Sequence, residues 1–257
     1  MSITLFGRDI PLYGIFFYLG IAVAAVAGIF ICKKRKMPLI ELVYSGIYTF
    51  IGALLGAKLL FIAVSLKQII EYNIPLINVV KGGFVFYGGM IGGLLGIWIY
   101  TKQFKLKMTD YMDIFATVLP LGHAFGRVGC FFAGCCYGMP YEHGYVYHTS
   151  AGATPLGIPL FPIQLVEAGV LVILFVFQVI LTVKYTEKKN INTYFYLVSY
   201  PFVRFVLEFF RGDDERAKFL YLSTSQWISI LIILATMSVI VIGNRKRRKT
   251  DRIKIDG

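Results

Sequence analysis

Six ionisable side chains fall inside or at the edge of long apolar runs: Lys58, His123, Arg127, Glu167, Arg204 and Glu208. Such groups are costly in hydrocarbon, so they turn toward a polar cavity or toward one another. Arg204 and Glu208 stand four residues apart, and Gln164 and Glu167 three apart, so each pair shares one helix face. The first pair reads equally well as an ion pair that only braces a bundle. The second reads equally well as interhelical hydrogen bonding. Arg211 lies three residues beyond Glu208, where it can meet an anionic head group. A guanidinium suits phosphate because its planar fork offers paired hydrogen bonds.

The stretch from His123 to Gly138 carries Gly126, Arg127, Gly129, Cys130, Gly134, Cys135 and Cys136. Its three thiols admit four readings: small buried hydrophobes, a disulfide if the segment faces outward, metal ligands, or nucleophiles. With His123 they make up a zinc-like set. Adjacent cysteines seldom ligate one tetrahedral ion, however, and the spacing is not a standard zinc pattern. No metal and no cofactor are expected. Upstream, Tyr87-Gly88-Gly89 precedes Gly92-Gly93. Paired glycines in a membrane helix permit close packing, which suits Gly92 and Gly93. Gly88 and Gly89, at the start of the run, would let backbone amides approach a phosphate, aided by the helix dipole.

The elements that must position these residues are membrane spans. Of 257 residues, 57% are hydrophobic and only 16% charged, against about a quarter charged in a soluble domain. Apolar runs of near-spanning length lie at about 11–32, 41–66, 84–101, 109–126, 163–183, 192–210 and 225–243. The first ends in Lys33-Lys34-Arg35-Lys36, the reverse of a cleavable signal's charge order, so it reads as a retained helix. The net charge of +12 is spread as short clusters between the runs, with no nucleic-acid-binding motif. The segments 33–40, 102–108 and 184–191 and the tail from Arg245 hold 17 Lys and Arg; the alternate segments hold 7. This asymmetry predicts an N-terminus outside and a basic tail, 245–257, in the cytoplasm. The expected fold is all-α: one domain over 1–257, a polytopic membrane bundle of about seven transmembrane helices. A small extracytoplasmic head is expected at about 127–162.

In order along the chain, these motifs resemble the prolipoprotein diacylglyceryl transferase family of the bacterial cytoplasmic (inner) membrane. Leu12-Tyr13-Gly14 resembles the family's Tyr-Gly opening, and Gly56-Ala57-Lys58 its Gly-Ala-Arg. Phe86-Tyr87-Gly88-Gly89-Met90-Ile91-Gly92 resembles its His-Gly-Gly-Leu-Ile-Gly, and Gly126-Arg127-Val128-Gly129-Cys130-Phe131 its Gly-Arg-x-Gly-Asn-Phe. Pro162-x-Gln164-Leu165-x-Glu167 resembles its Pro-x-Gln-Leu-Tyr-Glu. Arg204-Phe205-Val206-Leu207-Glu208-Phe209-Phe210-Arg211 resembles its Arg-Phe-x-x-Glu-x-x-Arg, and Ser225-Gln226-Trp227 its Gly-Gln motif.

The resemblance implies transfer of a diacylglyceryl group from phosphatidylglycerol to the lipobox cysteine of a lipoprotein precursor's signal peptide, with glycerol phosphate released. Its partners are then phosphatidylglycerol, these precursors and membrane lipid, not nucleic acid. Carried over by position, Arg127, Arg204, Tyr87, His123 and Glu208 are the candidate catalytic set. Tyr13, Lys58, Gly88, Gly89, Gly126, Gly129, Cys130, Gln164, Glu167 and Arg211 are candidates for substrate binding. The chain departs from the pattern at Tyr87 (family His), Lys58 (Arg), Cys130 (Asn), Ala133 (Asn) and Cys135 (Glu). A tyrosine of ordinary pKa, about 10, is a poor base, so His123 is expected to take over proton transfer. Two other readings keep the same fold: outer cysteines that perform acyl-transfer or redox chemistry, and a non-catalytic lipid-binding protein.

Overall fold

The computed structural model describes residues 2–5, 8–149, 154–185, 190–212 and 218–255. A hairpin of β1 (Ser2–Leu5) and β2 (Arg8–Pro11) leads into α1 (Leu12–Lys34). Then follow α2 (Leu39–Glu71), the short α3 (Leu76–Lys81), α4 (Phe86–Gln103) and α5 (Met108–Ala133). Strands β3 (Pro140–Val146) and β4 (Pro159–Leu160) pair antiparallel before α6 (Ile163–Lys184). Helix α7 (Ile191–Leu207) ends in a 3-10 turn, Glu208–Phe210. A two-residue hairpin, β5 (Lys218–Phe219) and β6 (Leu222–Ser223), precedes α8 (Thr224–Ile255). The chain divides into two compact units, Met1–Ile31 with Asp113–Gly257, and Cys32–Met112.

The protein is an all-α polytopic membrane bundle. Among the described residues, five helices are long and apolar enough to cross a bilayer: α1, α2, α5, α6 and the Thr224–Arg245 part of α8. The expected third and sixth spans do form helices, α4 and α7, but these have 18 and 17 residues. At about 1.5 Å per residue they reach ~27 and ~26 Å, short of about 30 Å of hydrocarbon. Glycines dilute α4, and Asn192, Thr193, Ser199 and Arg204 dilute α7. Helix α5 runs seven residues past its expected end at 126, so Arg127 lies within a helix rather than at its boundary. Of the residues in the charge count, Lys188, Lys189 and Arg216 lie outside the described residues.

In the smaller unit, α2 and α4 meet along Gly52 and Gly56 on one side and Gly88, Gly92 and Gly96 on the other. A Cβ added at Gly56 would stand 2.9 Å from the Gly92 Cα, and one at Gly52 3.2 Å from the Gly96 Cα. This is the small-residue packing that brings helix backbones together in lipid, where burial from water offers no driving force. It also gives Gly88 a packing role. A Cβ there would overlap the Gly56 carbonyl oxygen, so this glycine serves helix contact. The larger unit repeats the device once. Gly20 of α1 lies against Gly122 of α5, and Gly129 lies 3.3 Å, by the same measure, from Tyr13 and Phe16.

Buried polar groups clamp the larger unit away from the glycine contacts. Asn192 Nδ2 donates to Thr117 Oγ1 (2.7 Å) and Thr182 Oγ1 (2.6 Å), joining α7 to α5 and α6. Asp113 Oδ1 accepts from the Thr193 backbone N–H (2.8 Å) and hydroxyl (2.9 Å). A carboxylate at a helix N-terminus satisfies an orphan donor and opposes the dipole. Helix α8 begins with a capping box: Gln226 N donates to Ser223 Oγ (3.2 Å), and Ser223 N to Gln226 Oε1 (2.9 Å). The cap is therefore Ser223.

The α2–α4 contact predicts that Gly56→Val splays the pair. Thermal unfolding in detergent should fall by several degrees, with aggregation, whereas Gly46→Val, where a Cβ meets nothing within 4 Å, should leave it unchanged. Equal behaviour of the two variants would refute the packing role.

Candidate active site

Glu167, only 1% exposed, is the centre of the polar cluster. Its position in the first turn and a half of α6 points it toward α5 and α7. Arg127 Nη2 lies 3.0 Å from Oε1 and Arg204 Nη1 lies 3.6 Å from Oε2, so one carboxylate spans two guanidiniums. Arg204 Nη2 pairs with Glu208 Oε2 at 2.6 Å, the i,i+4 contact expected from the spacing. His123 Nε2 stands 4.0 Å from Glu167 Oε1, one helical turn before Arg127. Tyr200 donates its hydroxyl to Glu167 Oε1 (3.2 Å) and meets the His123 ring edge-to-face at 5.2 Å. Beneath them Ala124, Ala168 and Leu171 pack together, with Val128 and Tyr200 against them.

Among the described residues, Arg127 Nε and Arg204 Nη1 are buried without a hydrogen-bond partner. The His123 side chain is more open than either arginine, at 22% against 14% and 11%. At Gly126 an added Cβ would meet nothing within 4 Å, so this glycine borders open space.

The cysteine segment adjoins this cluster through the chain itself. Helix α5 closes in a Schellman turn: Cys135 N donates to Cys130 O, and Gly134 N to Phe131 O, both at 3.1 Å. Gly134 supplies the left-handed residue (φ 66°) that this turn requires. Cys136 is also left-handed (φ 56°). Gln164 Nε2 donates to the Cys135 carbonyl at 2.8 Å, and the Thr154 hydroxyl to the Gly134 carbonyl. Gln164, a candidate for substrate binding, thus holds the cysteine turn. It also donates to the Tyr147 hydroxyl at 3.5 Å. Burial pushes the Tyr147 phenol up to about 12, so it stays neutral. All four cysteines are free. Hydrogen bonds from Cys130 and Cys135, with help from Arg211, hold the Cys136 thiol below its ordinary range. Cys135, hydrogen-bonded to the other two thiols, is raised.

The larger unit thus gathers Tyr13, His123, Gly126, Arg127, Gly129, Cys130, Gln164, Glu167, Arg204, Glu208 and Arg211. Lys58, Tyr87, Gly88 and Gly89 belong to the smaller unit. There Lys58 Nζ contacts four carbonyls: Gly82 (2.8 Å), Val80 (3.0 Å), Gly83 (3.1 Å) and Val79 (3.4 Å). It also sits 4.3 Å over the Phe84 ring. A cation at those carbonyls caps the end of α3, so Lys58 has a structural use that its place in the motif did not reveal. Tyr87 opens α4 beside Phe86.

A family model described as prolipoprotein diacylglyceryl transferase matches residues 1–242. The chain belongs to this family. It is 35% identical over 231 residues to the phosphatidylglycerol–prolipoprotein diacylglyceryl transferase of Clostridium tetani, covering 90% of this chain and 92% of that one. It is 33% identical to transferase 2 of Clostridium perfringens over 247 residues, 95% of each. The Dehalococcoides mccartyi enzyme is 28% identical over 250 residues, 93% of this chain and 92% of its own. Sequence reasoning missed Tyr200 as a member of the Glu167 cluster. It lies four residues before Arg204, and that helical spacing was the available signal.

Breaking the hub should be costly, because removing one partner leaves uncompensated buried charge. Glu167→Gln is expected to destabilise the protein by about 3–5 kcal/mol, and Tyr200→Phe by about 1 kcal/mol. Chemical denaturation in detergent checks both. If Glu167→Gln is as mild as Tyr200→Phe, the carboxylate is not the hub.

Proposed function

We propose that this protein transfers the diacylglyceryl group of phosphatidylglycerol to the lipobox cysteine of lipoprotein precursors in the bacterial cytoplasmic membrane. The observation that carries this reading is the pair of guanidiniums anchored on one buried carboxylate.

The reaction is a displacement at carbon. The precursor's thiolate attacks the glyceryl carbon bonded to the phosphate oxygen; a C–S bond forms and the C–O bond breaks. The electron pair leaves with glycerol phosphate, which thereby gains negative charge. Cations fixed in advance where that charge develops lower the barrier. Arg127 and Arg204 meet that need because Glu167 and Glu208 hold them in place before substrate arrives. His123, more open than either arginine, receives the thiol proton, and Glu167 with Tyr200 orients its ring. Gly126 leaves room for the head group. Tyr87 has no step in this mechanism.

The full topology is part of the proposal: one functional domain of seven spans, α4 and α7 included, with the N-terminus outside and the basic tail in the cytoplasm. The site then opens to the outer leaflet, where Cys130 and the rest of the turn form a small head.

A transfer assay with labelled phosphatidylglycerol and a lipobox peptide tests the chemistry. The wild type should label the peptide cysteine, and Arg127→Ala or Arg204→Ala should each lower turnover about 10²–10³-fold, the loss typical of a removed oxyanion donor. Full turnover in both variants would refute the mechanism, and full turnover in His123→Ala would remove its role as base. Protease protection of a C-terminal tag in right-side-out vesicles checks the orientation; cleavage from outside would reverse it.

A further inference from the structure

Three thiols to which the mechanism above assigns no step lie together at the end of α5. The Sγ atoms of Cys130, Cys135 and Cys136 are all within 4.8 Å of one another. Two backbone features bring them there. The Schellman turn at Gly134 folds Cys135 back onto the last turn of α5, so that its Sγ donates to the Cys130 carbonyl at 3.7 Å. The left-handed conformation of Cys136 then lets two adjacent cysteines present their sulfurs to one point. Few non-glycine residues adopt that conformation, and where they do the surroundings must enforce it.

Those surroundings pin the segment along its length. The Gly134 and Cys135 carbonyls accept from Thr154 and Gln164. Beyond Cys136, Gly212 N donates to Tyr137 O (3.1 Å) and Met139 N to Phe210 O (2.9 Å), so the strand-like pairing places Arg211 beside the thiols. Gly138 and Gly212 are needed for that approach, because a Cβ on Gly212 would lie 2.8 Å from the Gly138 carbonyl carbon. The three sulfurs are thus arranged before any ligand binds.

We infer that Cys130, Cys135 and Cys136 form a binding site for one thiophilic d10 cation, with Zn(II) as its reference ion. Three thiolates at about 2.3 Å from zinc stand about 3.8–4.0 Å apart, so closure from the observed spacing takes less than an ångström. Sulfur donors select zinc or copper(I) over the hard cations magnesium and calcium. Three protein ligands leave a fourth position open. Three thiolates with Zn(II) carry one net negative charge, which Arg211 is placed to offset. The inference is independent of the transfer reaction, since its readout is metal content.

The test uses the full chain, purified in detergent, reduced with a non-chelating phosphine and equilibrated with Zn(II). One equivalent should remain bound after desalting. Cd(II) should give thiolate-to-metal absorption of the strength expected for three sulfurs. Cys135→Ser and Cys136→Ser should lose the equivalent, while Cys32→Ser, which alters a buried thiol of the other unit, should keep it. Should a variant fail to fold, alkylation of the wild type decides the question. Bound zinc should protect Cys130, Cys135 and Cys136 from maleimide, and a chelator should expose them. Zinc well below one equivalent in the reduced wild type, zinc that survives the cysteine substitutions, or alkylation indifferent to zinc would each overturn the site.

Discussion

A carboxylate placed in the interior of a membrane bundle must be compensated where it stands, and Glu167 is compensated from two helices at once. This constraint relates α5, α6 and α7 to one another near their site ends. Arg127 must face α6, Arg204 must face the same carboxylate from α7, and His123 and Tyr200 follow because they lie one helical turn from those arginines. The small residues Ala124 and Ala168 let α5 and α6 approach closely enough for a 3.0 Å ion pair. Larger side chains would separate the helices and break the Arg127–Glu167 pair.

A second polar clamp holds the far ends of the same helices. Asn192, Thr117 and Thr182 join all three, and Asp113 anchors the first turn of α7. Between the clamps α7 is short and rich in polar residues for a membrane helix, and it survives because its costly groups find partners inside the bundle. Phosphate chemistry needs such rigidity. Arginines that stabilise a leaving phosphate without reorganising must already be fixed, and here they are fixed by side chains buried to within a few per cent.

The cysteine turn solves a related problem with backbone. A helix that ends near the site must satisfy its last carbonyls. The Schellman turn, Gln164 and Thr154 do so for α5. The motif glutamine therefore acts on main chain, and the thiols converge as a consequence of how the helix is terminated.

Much was legible in the residues alone. Apolar runs placed the start of every long helix within two residues, because a membrane span must be nearly continuous in hydrophobicity, whereas α5 and α8 run seven and twelve residues past their expected ends. The scarcity of charge in those runs singled out Arg127, Glu167 and Arg204, and local i,i+4 geometry paired Arg204 with Glu208. The ordered motifs led to the family. Other features depended on partners distant in the chain. The contacts of Lys58 with the carbonyls of Val79, Val80, Gly82 and Gly83, and of Gly88 with Gly56, could not be read from their motifs. Adjacent cysteines looked unfit to share an ion until a left-handed residue turned them together. Sequence determines composition and local periodicity, so it set where the helices run and which charges must be buried. Which groups share a point in space depends on helix packing and chain reversal, and that only the tertiary structure decided.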